Sequence, residues 1–170
     1  VASSSKYRRS LLDWGCFYYF PEFLSVWQDY NRILMQRNSA LKAGFGVSDW
    51  DDLLISSCAK LTKYRQEYFV DFIDAFSGFW QKFANDLPAI NLSFYPGWEH
   101  GLDFAKVLQH SLNLDLRLGF TKVGAHRADI LFDLNNESAF FTLSQGQQKI
   151  MAYALRLAQG ELLMSKAGVA

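Results

Sequence analysis

The residues best placed to do chemistry are Leu143-Ser-Gln-Gly-Gln-Gln-Lys149, which open an apolar helix predicted over Ile150 to Leu163. A short polar turn with a glycine at the mouth of an amphipathic helix is a natural anion site. The first-turn N–H groups have no intrahelical acceptor, and the helix dipole adds partial positive charge there. Ser144 and Gln147 also spell S-x-x-Q, an ordinary capping box in which the Ser144 hydroxyl accepts from the Gln147 N–H. Gly146 falls inside the first turn, where glycine costs about 1 kcal/mol against alanine. That cost makes sense if a phosphate must approach the backbone closely. The two readings are compatible: the hydroxyl caps the empty site and turns to phosphate in the complex. Gln145 and Gln147 flank the glycine, and Lys149 either adds charge or is merely solvated.

Two further groups carry chemistry. His126, Arg127 and Asp129 bring a titratable donor, a fixed cation and a carboxylate within four residues. A general base would need a partner and a substrate, and the sequence shows neither. The structural reading is an internal Arg–Asp or His–Asp bond that holds the following helix on its sheet. The functional one is a DNA- or nucleotide-facing Arg127. Lys6, Arg8 and Arg9 form the densest basic cluster. Such clusters contact phosphates, but near a chain start they are more often a solvated face, and Arg8 or Arg9 can pair with Asp13 across a helical turn. Arg8, Arg9, His126 and Arg127 are therefore candidates for DNA contact or for internal structure. His100 and His110 stand alone.

The elements that must position these groups follow from patterning. At 170 residues, half of them hydrophobic, the chain holds one domain with room for a protruding element. Zero net charge argues against a strongly basic nucleic-acid domain. Cys16 and Cys58 lack metal-ligand spacing and read as buried free thiols of a reducing cytoplasm. No apolar run is long enough to span a membrane and no signal peptide is recognisable, so a soluble, cytoplasmic chain is expected. Val1 to Ser5 is a polar lead-in. From Pro21, the residues Phe23, Trp27, Tyr30, Leu34, Arg37 and Leu41 recur in steps of four and three, a heptad seam. Gly44 to Asp49 breaks it. A second seam, Leu54, Cys58, Leu61, Arg65, Tyr68, Phe72, Ala75 and Phe79, runs within a helix from about Trp50 to Asp86. Two such helices around a short loop predict an antiparallel hairpin. Beyond Pro88 the pattern predicts strands at Asn91–Tyr95, Phe120–Gly124 and Asp129–Leu134, a helix from Leu102 to Gly119 and a turn at Asn135-Asn136. The expected class is α+β and helix-rich, with a junction at 1–20, a hairpin arm at 21–86 and a lobe at 87–170 that carries the Ser144 turn.

Several stretches resemble one family. Leu143–Lys149 resembles the signature motif of ABC-type ATPases. Gly124-Ala-His-Arg-Ala-Asp129, Ala154-Leu-Arg-Leu-Ala-Gln-Gly160, and Lys6-Tyr-Arg-Arg9 followed by Leu12-Asp-Trp-Gly15 are similar to the RecF family of bacterial recombination-mediator ATPases, in the same order. The resemblance implies a helical arm inserted in an ATPase head. It implies that Ser144, Gln145, Gly146, Gln147 and Lys149 meet the γ-phosphate of ATP bound to the opposite protomer of an ATP-dependent homodimer, with Mg²⁺ held by parts absent here. It also implies binding of double-stranded DNA near gaps and recombinase loading with RecR and RecO, within DNA repair and the SOS response. Departures matter too. No G-x-x-x-x-G-K-[ST] P-loop is present, no apolar strand ending in paired acids follows the Ser144 helix, and Ala125 stands where the family has proline. With Val1 at its start, the chain reads as an internal piece that does not hydrolyse ATP alone. The competing reading is a non-enzymatic helical-hairpin module for protein interaction.

Overall fold

A computed structural model describes residues 4–135 and 137–168. In chain order it contains α1 (Ser5–Tyr19), α2 (Phe23–Ala43), α3 (Ser48–Phe83), β1 (Asn91–Tyr95) and α4 (Phe104–Leu118). A 3-10 turn (Ala125–Arg127), β2 (Asp129–Leu134), β3 (Glu137–Ser138), α5 (Ala139–Thr142) and α6 (Gln145–Lys166) follow. Val1–Ser3 of the expected lead-in and Asn136 of the expected turn lie outside the described residues, while Asn135 takes a positive φ of 53°. The chain divides into two compact units. One comprises residues up to Tyr19, Arg65–Phe94 and residues from Asp129; the other comprises Phe20–Tyr64 and Tyr95–Ala128. The helix-rich α+β class is as expected, with one three-stranded sheet ordered β1-β2-β3.

The first unit is built on that sheet. β2 and β3 run antiparallel, with Asp133 opposite Ser138 and Leu134 opposite Glu137. Along β2, Ile130, Phe132 and Leu134 are buried and Leu131 is exposed, the alternation a half-covered sheet demands. Leu12 and Cys16 of α1, Phe72, Phe76 and Trp80 of α3, and Met151, Ala154 and Leu155 of α6 complete the core. Phe76 meets Phe132 edge-on with ring centroids 6.3 Å apart. The heptad seam of α3 is buried from Leu54 to Phe72, and burial then passes to Phe76 and Trp80 rather than Ala75 and Phe79. An unsupercoiled helix of 3.6 residues per turn drifts off a 3.5 repeat in this way. Arg65, on the same stripe, is buried and bonded to both Asp13 oxygens at 2.7 and 3.0 Å. Gly15 is dictated by packing: a Cβ there would fall 2.1 Å from Tyr68 Cζ. Burial, with Asp13 nearby, pushes the Cys16 thiol far above its usual range, so it stays a neutral core residue.

The second unit holds α2 antiparallel to the first part of α3. Gly44, at φ 78°, ends α2 in the left-handed conformation and donates to Ala40 O. Arg37–Asp51 near the loop and Tyr64–Glu22 at the far end tie the pair. The α2 stripe buries Phe23, Tyr30, Ile33, Arg37 and Leu41, but Trp27, expected on the seam, is 39% exposed. Arg37 is fully buried. Its Nε donates to Asp51 at 2.7 Å, and its Nη1 donates to Asp115 at 2.9 Å and to the Thr121 hydroxyl at 2.8 Å. Asp103 caps α4 through the Lys106 N–H, and Gly119 ends it. The strand expected at Phe120–Gly124 does not form. The Thr121 N–H is taken by Asn38 and the Lys122 N–H by Asp115, so these backbone donors are satisfied by side chains and need no strand partner.

Replacing Arg37 with Met leaves Asp115 buried without its cation. Urea unfolding should show a loss of about 3–5 kcal/mol, the usual cost of removing one member of a buried pair; a loss below about 1 kcal/mol would contradict this account. Gly15→Ala should cost about 1–3 kcal/mol by overpacking against Tyr68. In the same assay Tyr68→Leu should restore part of it; no restoration would place the clash elsewhere.

Candidate phosphate site at the Ser144 turn

The site sits where the sheet hands the chain to α6. β3 leads directly into α5, a single four-residue turn, and Leu143 then runs extended into Ser144 (φ −62°, ψ 162°). The reciprocal capping box is formed. Gln147 Oε1 accepts the Ser144 N–H at 2.8 Å, and Ser144 Oγ accepts the Gln147 N–H at 3.3 Å. Ser144 O accepts the Gln148 N–H at 2.9 Å, the first regular helical bond. The N–H groups of Gln145 and Gly146 find no acceptor among the described residues. Ser144, Gln145 and Gly146 are exposed, and so is Lys149, which makes no ion pair among the described residues. A Cβ on Gly146 would meet nothing nearer than Ser144 Oγ at 4.0 Å, so packing within the chain does not require glycine there.

Gln148 has a role that residue spacing does not mark. Its Nε2 donates to Phe140 O at 3.0 Å and to Leu143 O at 3.1 Å, clamping α5 to the first turn of α6. The only hint was a half-buried helical face carrying an amide, a residue able to supply two donors at once.

The other candidates separate. Asp129 bonds neither His126 nor Arg127, contrary to the expected internal bond. It takes Arg8 in a fork, Nε to Oδ1 at 2.8 Å and Nη2 to Oδ2 at 2.6 Å, and its Oδ1 also accepts the Ile130 N–H. Arg8 is buried, and its guanidinium lies 5.1 Å from the centroid of the Phe140 ring. Two elements far apart in sequence are joined here, a relation that spacing cannot reveal. Arg9 Nη1 lies 3.4 Å from Ser5 O, within its own helix.

His126 is held inside the second unit. Its Nε2 lies 2.9 Å from Thr121 O, a carbonyl that can only accept, so Nε2 carries the proton. In the neutral ring Nδ1, 2.8 Å from Tyr30 Oη, accepts the phenol O–H, and the same Oη accepts the His126 N–H at 3.2 Å. Both ring nitrogens are thereby committed to structure. Gly97 and Gly124 pass so closely that a Cβ on Gly97 would lie 2.0 Å from Gly124 O. The 3-10 turn forms without proline: Arg127 N–H donates to Gly124 O at 2.8 Å, and Ala125 is fully buried. Arg127 points outward, exposed, 5.8 Å from the centroid of the Phe120 ring. Among the described residues no three His, Cys, Asp or Glu side chains gather to hold a metal, and no helix is long and apolar enough to cross a membrane.

No protein-family model matches the chain. Single curated proteins do. The DNA replication and repair protein RecF of Proteus mirabilis is 37% identical over 166 residues, covering 96% of this chain and 46% of that protein. RecF of Coxiella burnetii is 39% identical over 165 residues, and RecF of Haemophilus ducreyi 40% over 163. The solved structures of the recombination mediator RecF with an ATP analogue and with ATP, both described as of the RecFOR pathway, superpose with TM-scores of 0.89 and 0.87 at 26% identity. They cover 99% and 98% of this chain, which matches 49% and 48% of theirs. The chain spans about half the length of the relatives it matches. Almost the whole chain is therefore similar, in sequence and in fold, to about half of the DNA replication and repair protein RecF, and it corresponds to a RecF fragment.

Proposed function

We propose that this chain supplies the signature-bearing part of an ATP-dependent DNA repair protein, and that its Ser144 turn receives the γ-phosphate of ATP held by a second protomer. One observation carries the reading: the turn offers several unspent donors on one exposed surface. The cap uses an acceptor lone pair of Ser144 Oγ and leaves its proton free. The N–H groups of Gln145 and Gly146 point out of the first turn, and Lys149 lies one turn further along the same helix. Gln147 contributes by holding the cap. Gly146, with open space where a side chain would sit, lets a phosphate reach the backbone. The hydroxyl therefore need not abandon its cap, as the sequence alone suggested, because capping and donation use different parts of the same oxygen.

In this reading ATP and its Mg²⁺ are held mainly by regions of the family outside this chain. A P-loop of the usual spacing does not occur in it. The functional form is an ATP-dependent homodimer in the cytoplasm, acting on double-stranded DNA at gaps, with RecR and RecO as partners and the SOS response as its setting. The antiparallel α2–α3 pair serves as the arm, and outward-pointing Arg127 is the candidate for DNA or nucleotide contact. Arg8 and His126 serve as internal supports.

Ser144→Arg in the full-length protein should fill the phosphate's place with a long side chain. Sedimentation with Mg-ATP should show dimerisation lost, while nucleotide affinity of the protomer stays within about twofold. Loss of the cap costs about 0.5–2 kcal/mol, so the variant remains folded. Dimerisation equal to that of the parent would reduce Ser144 to a helix cap.

A further inference from the structure

The largest unexplained side chain near the site is Phe141. It is 92% exposed, yet it sits on a turn tied to the first unit by packing and hydrogen bonds. Ala139, two residues before it, is fully buried, and Phe140 packs edge-on against Phe132 with centroids 5.4 Å apart. Arg8 covers the Phe140 ring from a position fixed by Asp129. The backbone is tied as well. Leu143 N–H donates to Ala139 O at 2.9 Å and Thr142 Oγ to Ser138 O at 3.1 Å. Gln148 takes Phe140 O and Leu143 O on either side. A single exposed hydrophobe on a loose loop needs no explanation. This one is held rigidly, three residues before Ser144, and gains no burial from the chain that holds it.

We infer that Phe141 is a contact residue of the phosphate-receiving surface: it packs against the second, nucleotide-bearing copy of the protein when the Ser144 turn receives its phosphate. Gln148 is the positioning residue that keeps it there. The inference rests on the proposed role of Ser144 and extends it. The partner is the second copy because the surface is continuous with the donors that meet that copy's ligand. An aromatic closing over this edge excludes water, and the same donors act more strongly on the phosphate in the drier environment.

Sedimentation of the full-length protein with Mg-ATP tests this. Phe141→Ala should weaken ATP-dependent dimerisation about tenfold or more, as expected for a buried aromatic contact, with protomer ATP affinity and melting temperature unchanged. Phe141→Leu should keep most of the association. Gln148→Ala should weaken it similarly, and the double variant Phe141→Ala/Gln148→Ala should be no worse than Phe141→Ala alone, because both changes remove one contact. Normal dimerisation of Phe141→Ala beside failure of Ser144→Arg would overturn the Phe141 contact and leave the phosphate reading intact. Normal dimerisation of both would remove the phosphate reading and this inference with it. An additive double variant would overturn the positioning role of Gln148.

Discussion

The bidentate pair between Arg8 and Asp129 is the interaction on which the first unit turns. Asp129 is the first residue of β2, and its Oδ1 also bonds the Ile130 N–H, so one carboxylate fixes both the entry of the strand and the helix that crosses it. Everything that positions the Ser144 turn lies downstream of that entry: β2, its hairpin to β3, α5 and the cap of α6. A buried pair of this kind adds little net stability compared with apolar packing. What it supplies is register. A one-residue slip of β2 would turn Ile130, Phe132 and Leu134 outward and would also break the fork. The aromatic face of Phe140 against Arg8 carries the same constraint forward to the turn itself.

The second unit solves a similar problem with Arg37. Three acceptors on α3, α4 and the segment after α4 converge on one buried guanidinium. Both arginines of the heptad seams, Arg37 and Arg65, therefore act as internal cross-links rather than as solvent-facing charges. The charge balance of the chain obscures this use: zero net charge describes the whole, while these cations are spent inside it.

Much of this was legible in the residues. Gly119 closes α4, the alternation over Asp129–Leu134 is β2, and S-x-x-Q announces the cap of α6. What escaped depends on distant partners. Phe120–Gly124 has the composition of a strand, and only the approach of Asn38 and Asp115 makes it a loop. Asp129 sits beside His126 and Arg127 in sequence and bonds Arg8, 121 residues away. Trp27 follows the heptad rule and still faces solvent. Local periodicity reports which face of an element is apolar, but it cannot say which other element arrives, and the buried polar choices are made by that arrival.

The capped state of Ser144 has an energetic corollary. Because the cap uses only an acceptor lone pair of Ser144 Oγ, the first turn of α6 is formed with the hydroxyl proton uncommitted. In the proposed role, a phosphate docking there would find its donors already aimed, and little reorganisation free energy would be subtracted from the contact. On that reading, occupancy and motion are uncoupled at this point of the molecule. On the proposed function, any conformational response to nucleotide arises in how two copies meet, with the turn acting as a rigid gauge of whether the ligand is there.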